Sequence, residues 1–363
     1  MKIDANINTL FKIIQVYFKQ ISLEEWETYS KNTVIDWHEV YRLAILNQIR
    51  PLLYNIIKII KPLNFPTEIN NELREFSFMM AIKSLNQLVQ INEIQTEFVN
   101  QGINSVLHKG ILYGGLFYES ISDREVGDID IIVKRQDLEK AHQILHSLGY
   151  IAPTLENGYN IGQFIHGLDY HVSYLCPNKG MYSLLELHWS HSSTRSIIDL
   201  QTDCMIDSKT NWVINGNTIP APTIEDILLL LITHHSSKEG WVKLRYVCDF
   251  IGLFLQYHNS IDWKTIYNLA HKSNLLPHLN IGLNLFTTFG KHIDVGSVNG
   301  ILIPLNYALI EYHAKFWSGR KKKSKYHYFY WSFMIHRNIK TRLKIANNHF
   351  IRSIYFFLEK RVR

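Results

Sequence analysis

Seven residues, Gly127-Asp128-Ile129-Asp130-Ile131-Ile132-Val133, constrain the fold of this chain more than any other stretch. The run after the glycine is apolar and β-branched, which suits a buried strand, and alternate side chains of a strand share a face. Asp128 and Asp130 therefore point the same way, while Ile129, Ile131 and Val133 face the other. Two carboxylates held that close repel each other unless a counter-cation lies between them. Hard divalent ions such as Mg²⁺ take oxygen ligands of this kind. The plain alternative is a strand end with solvated acids, so the flanking sequence has to decide.

Upstream, Ile103 to Gly110 reads as a short strand ending in glycine, and Ile111 to Ser120 as a short helix. Downstream, Leu138, Ala141, Ile144, Leu145 and Leu148 form a helical stripe stopped by Gly149. The order is strand, glycine turn, helix, acidic strand, helix. A glycine turn lets the backbone approach a phosphate, and the helix after it offers unpaired N–H groups to an anion.

With these residues in view, the chain resembles the nucleotidyltransferases of the DNA polymerase beta superfamily, whose signature is a glycine turn, a spacer, then Asp-hydrophobic-Asp/Glu-hydrophobic. More narrowly, Lys109-Gly110, Arg124, Gly127 to Val133, Leu148-Gly149-Tyr150 and Leu185-Glu186-Leu187-His188-Trp189 resemble the bacterial family labelled "uncharacterised nucleotidyltransferase", over about residues 40–260. The resemblance implies an α+β fold with a polymerase-beta-like mixed sheet embedded in helical regions. It also implies two Mg²⁺ or Mn²⁺ ions, and transfer of a nucleoside monophosphate from an NTP, ATP foremost, to an acceptor hydroxyl. Asp128 and Asp130 carry over as metal ligands and catalytic groups. Glu186 is the candidate third carboxylate, on a strand where it shares a face with His188.

The spacing alone allows two registers for the turn. Gly114-Gly115 is separated from Asp128 by twelve residues, which fits the general superfamily pattern, whereas the narrower family places Lys-Gly at the strand end. Lys109-Gly110 is preferred, and Gly114 and Gly115 then fall inside the helix and serve close packing. Lys109 as a point charge and Arg124 as a bidentate clamp are the cations expected at the triphosphate. For Arg124 the competing role is a salt bridge with Asp123 or Glu125. His234 to Trp241 and Val242 to Asp249 resemble the helical pair that follows the core in the same family. That makes Lys243 and Arg245 candidates for nucleotide contacts, Trp241 for an acceptor contact, and Asp249 for either. A solvated helix face and a core tryptophan are the structural alternatives. His171 and His188 read as supporting or acceptor-binding groups.

Around this centre the pattern is helical. Residues 1–100 carry periodic apolar stretches, including a segment opened by Ser22 with Glu25 three residues on, in the capping-box pattern. Residues 101–222 form the expected α/β core, with further strands at Asp169 to Leu175 and Tyr182 to Trp189 and a hairpin around Asn215-Gly216. Residues 223–300 read as a helical domain opened by Thr223 and Asp226, and 301–363 as a basic, aromatic helical tail.

Residues 301–363 hold fourteen Lys/Arg against two acids, a net +12 that leaves −6 for residues 1–300. Arg320-Lys-Lys-Lys323 is followed by Tyr326-His-Tyr-Phe-Tyr-Trp331, and Thr341 to Lys360 repeats apolar residues between basic flanks. Such a tail suits a helix covering the domain, an anionic membrane surface, or a nucleic acid held through phosphates and stacked bases. The leading expectation for the acceptor is a small molecule, saccharide, peptide or protein. Nucleotidylation of RNA is the alternative, because Lys109-Gly110 with Asp128-Ile-Asp130 also resembles the abortive-infection toxin nucleotidyltransferases, without their second glycine after Lys-Gly. A non-catalytic nucleotide-binding module is the remaining reading.

Eighteen histidines and three cysteines are present, yet Cys176, Cys204 and Cys248 form no Cys-x-x-Cys. Neither His188-Trp-Ser-His191 nor His234-His235 has the pairing of a structural zinc site. Sparse cysteine, the missing leader and the lack of a long apolar run imply the cytoplasm, with peripheral membrane contact open.

Overall fold

The computed structural model describes residues 4–156, 169–177, 184–193, 196–289, 307–324 and 326–362. Four strands build a mixed sheet: β1 (Ser105–His108), β2 (Ile129–Val133), β3 (His171–Leu175) and β4 (Leu184–His188), in spatial order β1-β2-β4-β3. β1 runs antiparallel to β2, β2 parallel to β4, and β4 antiparallel to β3. All five residues of β2 are buried, so the acidic strand lies inside the sheet with a neighbour on each side. A separate hairpin pairs β5 (Thr210–Ile214) with β6 (Asn217–Ala221). Its turn uses Asn215 and Gly216, both at positive φ, as a two-residue turn of this kind requires.

Helices surround the sheet as the apolar periodicity predicts. The capping box at Ser22 and Glu25 opens the helix Leu23–Lys31, and Thr223 caps Ile224–Ile232 through the Asp226 N–H. The 34-residue helix Thr67–Asn100 reaches the acidic loop, where Gln87 donates to the Gly127 carbonyl at 3.0 Å. The helix expected to run through His234 becomes a π-helical turn, Thr233–Lys238, before Leu244–Tyr257. Such turns widen a helix by one residue and recur at functional sites.

The α+β fold is therefore present, with helical regions on both sides of the sheet in sequence. One contiguous buried apolar cluster runs from Ile7 to Ile345 and draws on every described region. Part of the basic tail is fixed to the rest of the chain. Trp331 Nε1 donates to the Ser236 carbonyl at 2.6 Å, Trp317 Nε1 to the Trp241 carbonyl at 2.8 Å, and Lys323 pairs with Glu239 at 2.7 Å. Among the described residues no helix is long and apolar enough to cross a membrane. Tyr182 and Ser183, expected at the start of the Glu186 strand, lie outside the described residues.

Candidate active site

β1 ends at His108, and the chain then turns sharply. Lys109 adopts φ 55° and ψ −148°, a region close to one that is essentially reserved for glycine. Gly110 follows at φ 44°, and a Cβ on it would come within 3.1 Å of the Asp128 carbonyl oxygen. The turn is thus pressed against the acidic loop. Strained residues of this type cluster where function demands them. Gly114 and Gly115 lie in the helix Gly110–Phe117, where an added Cβ would meet the Ile121 backbone at 2.9 Å and the Ile214 side chain at 2.5 Å. They are packing glycines, and Gly110 is the one that lines the cleft.

The sheet register brings the carboxylates together. Asp130 on β2 is the direct partner of Glu186 on the parallel strand β4, and Asp128 precedes β2 on the same face as Asp130. Asp128, Asp130 and Glu186 each offer an oxygen within 4.8 Å of the others. Lys109 Nζ donates to Asp130 Oδ1 at 2.9 Å, and His188 Nε2 stands 2.9 Å from that oxygen and 3.2 Å from Glu186 Oε2. His171, the register partner of His188 on β3, brings its Nε2 to 3.6 Å from Glu186 Oε1.

The electrostatics follow from this packing. Burial, reinforced by repulsion from Asp130 and Glu186, raises the Asp128 pKa. Burial also acts to raise Asp130, but Lys109 and His188 outweigh it and hold that carboxyl far below the usual range. Glu186 is lowered in the same manner, with His188 overcoming burial. Burial, with His188 beside it, brings His171 down to about 4, so its imidazole is neutral at physiological pH. Three carboxylates against one contacting ammonium leave net negative charge on the cleft floor. Their hard oxygen donors fit Mg²⁺ or Mn²⁺.

A cleft of about 390 Å³ opens above this floor, and Lys238, Lys243, Arg245, Tyr170 and Tyr246 line it. Arg245 also donates to the Glu125 carbonyl at 2.8 Å. Lys238, at the end of the π-turn, donates to the Tyr170 hydroxyl at 3.0 Å, and burial with repulsion from Lys109 brings its pKa down to about 7. Lys238 lies within the His234 to Trp241 segment, and nothing in the sequence marks it. An isolated lysine three residues after a His-His pair carries no motif, and its placement depends on the extra residue of the π-turn.

Three expected contacts differ. Arg124 forms a buried bidentate pair with Asp249, Nε to Oδ1 at 2.8 Å and Nη2 to Oδ2 at 2.9 Å. Its partner is neither Asp123, which accepts from Tyr17 and Asn55, nor Glu125, which pairs with Arg50. Asp249 also accepts from Tyr118 and stands 2.8 Å from His235 Nε2. Arg124 borders the cleft, but its fork is already engaged, and fully buried Asp249 is its anchor rather than a ligand contact. Trp241 is fully buried against Phe250 and does not line the cleft. The core role prevails there because the indole supplies a large apolar surface between the π-turn and the following helix.

The sequence profile of the family described as "Uncharacterised nucleotidyltransferase" matches residues 33–290, more than two thirds of the chain and every residue of the cleft described above. No curated protein matches the chain. Glycine turn, Asp-x-Asp strand and the third acid on a parallel neighbour all fall inside the matched span, and the chain belongs to this uncharacterised nucleotidyltransferase family.

Proposed function

We propose that the chain transfers a nucleoside monophosphate from an NTP, with ATP the first candidate, to an acceptor hydroxyl, releasing pyrophosphate. The observation that carries this reading is the register pairing of Asp130 with Glu186 beside Asp128, at the floor of a cleft walled by cations. Asp128, Asp130 and Glu186 would hold the divalent ions, which when bound neutralise the carboxylates and the charge developing on the phosphates. The Lys109-Gly110 turn brings backbone close to the polyphosphate. Lys238, Lys243 and Arg245 bind the phosphate oxygens as they separate, Arg245 through its planar fork. Glu186 accepts the hydrogen bond of the acceptor hydroxyl and aims that oxygen at the α-phosphorus. The new bond joins the acceptor oxygen to the α-phosphorus, the hydroxyl proton passes to the Glu186 carboxylate, and the bond from the α-phosphorus to the α,β-bridging oxygen breaks, so that pyrophosphate leaves. Catalysis of this type is positioning and electrostatics, with no protein nucleophile.

The test is label transfer from each α-³²P NTP, with Mg²⁺ or Mn²⁺, to small-molecule, saccharide, protein and tRNA fractions. Asp128→Asn is expected to lower turnover by about a hundredfold or more. The same change relieves the buried repulsion on Asp128. A folded-state pKa above the unfolded one means that its ionised form is penalised at neutral pH, so the metal-free variant should melt at or above the wild type. A wild-type chain that labels no acceptor and is stabilised by no metal–NTP pair contradicts the proposal.

A further inference from the structure

The sheet carries a second set of donors that the carboxylate site does not use up. His171 and His188 are cross-strand partners on β3 and β4, and Glu186 lies two residues before His188 on the same face. One donor atom from each lies within 4.8 Å of the others. His171 Nε2 is 3.6 Å from Glu186 Oε1, too long for a hydrogen bond, and His188 Nε2 is 3.2 Å from Glu186 Oε2. Bonds of about 2.0–2.2 Å from a tetrahedral ion to nitrogen and oxygen place neighbouring donors roughly 3.3–3.6 Å apart. The His171–Glu186 separation fits two ligands around one ion, whereas His188 Nε2 is held by Asp130 Oδ1 at 2.9 Å and by Glu186 Oε2, bonds that an incoming ion would exchange for its own. The two imidazole rings lie 5.1 Å apart between centroids, tilted by 31°.

We propose that His171, Glu186 and His188 form a distinct site for a borderline transition-metal dication, Zn²⁺ or Co²⁺, joined to the carboxylate site through Glu186. Two imidazoles and one carboxylate select such ions over Mg²⁺, which takes oxygen donors. Three protein ligands leave an open position toward the cleft, the arrangement of a reactive rather than a structural metal. The Asp128 and Asp130 side then takes the hard ion, and the two ions differ in kind. The two histidines are seventeen residues apart in sequence and follow no zinc-binding spacing, so only the antiparallel pairing of β3 with β4 makes a pair of them. The site shares Glu186 with the nucleotidyl-transfer reading, but metal alone tests it, so either idea can fail without the other.

The test is titration of the untagged, chelator-stripped full chain with Co²⁺, followed by visible absorption and calorimetry, with Mg²⁺ as competitor. Wild type and Asp128→Asn are expected to bind one Co²⁺ tightly, with visible ligand-field bands that millimolar Mg²⁺ does not displace. His171→Ala, at a half-buried position, is expected to weaken that ion at least tenfold while retaining the wild-type circular dichroism spectrum. Equal Co²⁺ affinity in folded wild type and His171→Ala overturns the proposal, as does loss of the bands in Asp128→Asn alone. X-ray absorption of the wild-type chain loaded with one equivalent of Zn²⁺ decides independently of any variant. Scattering from two imidazoles supports the site, and an oxygen-only shell refutes it.

Discussion

Lys238 is the side chain whose chemistry depends most on its surroundings. Burial and the Lys109 charge lower its pKa to about 7, against the pull of Asp130, Glu186 and Glu239, while its Nζ donates to Tyr170. A polyphosphate beside it raises that pKa again, so nucleotide binding takes up a proton above neutrality. NTP affinity should therefore fall as pH rises from 7 to 9. Calorimetry in buffers of different ionisation enthalpy should show the uptake. Lys238→Met should weaken binding and flatten the slope; a variant keeping the wild-type slope removes Lys238 from the phosphate site. At this scale the sequence was informative where chemistry sits in one short run. Asp128, Asp130 and the Lys109-Gly110 turn lie within 22 residues and could be read together. The fates of Arg124 and Lys238 could not, because the first depends on a partner 125 residues away and the second on a local change of helical pitch.

Among the elements, the pair linking the loop before β2 to the helix Leu244–Tyr257 has the largest stakes. Arg124, Asp249, His235 and Tyr118 form a buried polar group in which each hydrogen bond leans on the same carboxylate. Removing one partner strands the other charge out of water, at a cost of about 3–5 kcal/mol. Arg124→Met should lose that much stability in urea unfolding while the purified folded fraction keeps NTP affinity within a few-fold. A variant of normal stability that no longer binds nucleotide returns Arg124 to the phosphate site. Strand and helix positions were legible from periodicity, including the hairpin at Asn215-Gly216 and both capping residues. The neighbours of β4 were not, since apolar alternation says which face is buried and nothing about which strand lies beside it.

For the whole molecule, part of the basic tail, which by composition suits a covering helix, a membrane surface or a nucleic acid, is held by the body. Trp317 is fully buried, edge-on to Phe11 and hydrogen-bonded to the Trp241 carbonyl, so it ties the first helix Ala5–Tyr17 to the segment after the π-turn. Trp317→Ala should cost about 3–5 kcal/mol, read as a lower urea midpoint with an unchanged slope. A loss below 1 kcal/mol would mean that the tail packs without supporting the body. The charge asymmetry was visible in the sequence, but the anchoring was not, because Trp317, Lys323 and Trp331 fasten to residues about 75 to 300 positions earlier.

The parallel pairing of β2 with β4 has a consequence in time. Asp130 leaves the ribosome 56 residues ahead of Glu186, and Lys238 follows another 52 residues later. A growing chain that has made only the acidic strand owns Asp128, Asp130, Lys109 and Arg124 but lacks Glu186, His171, His188 and three of the five cations that line the cleft. The proposed transfer therefore waits until most of the polypeptide exists and the pairing of β2 with β4 has formed, and unfinished chains lack a complete site.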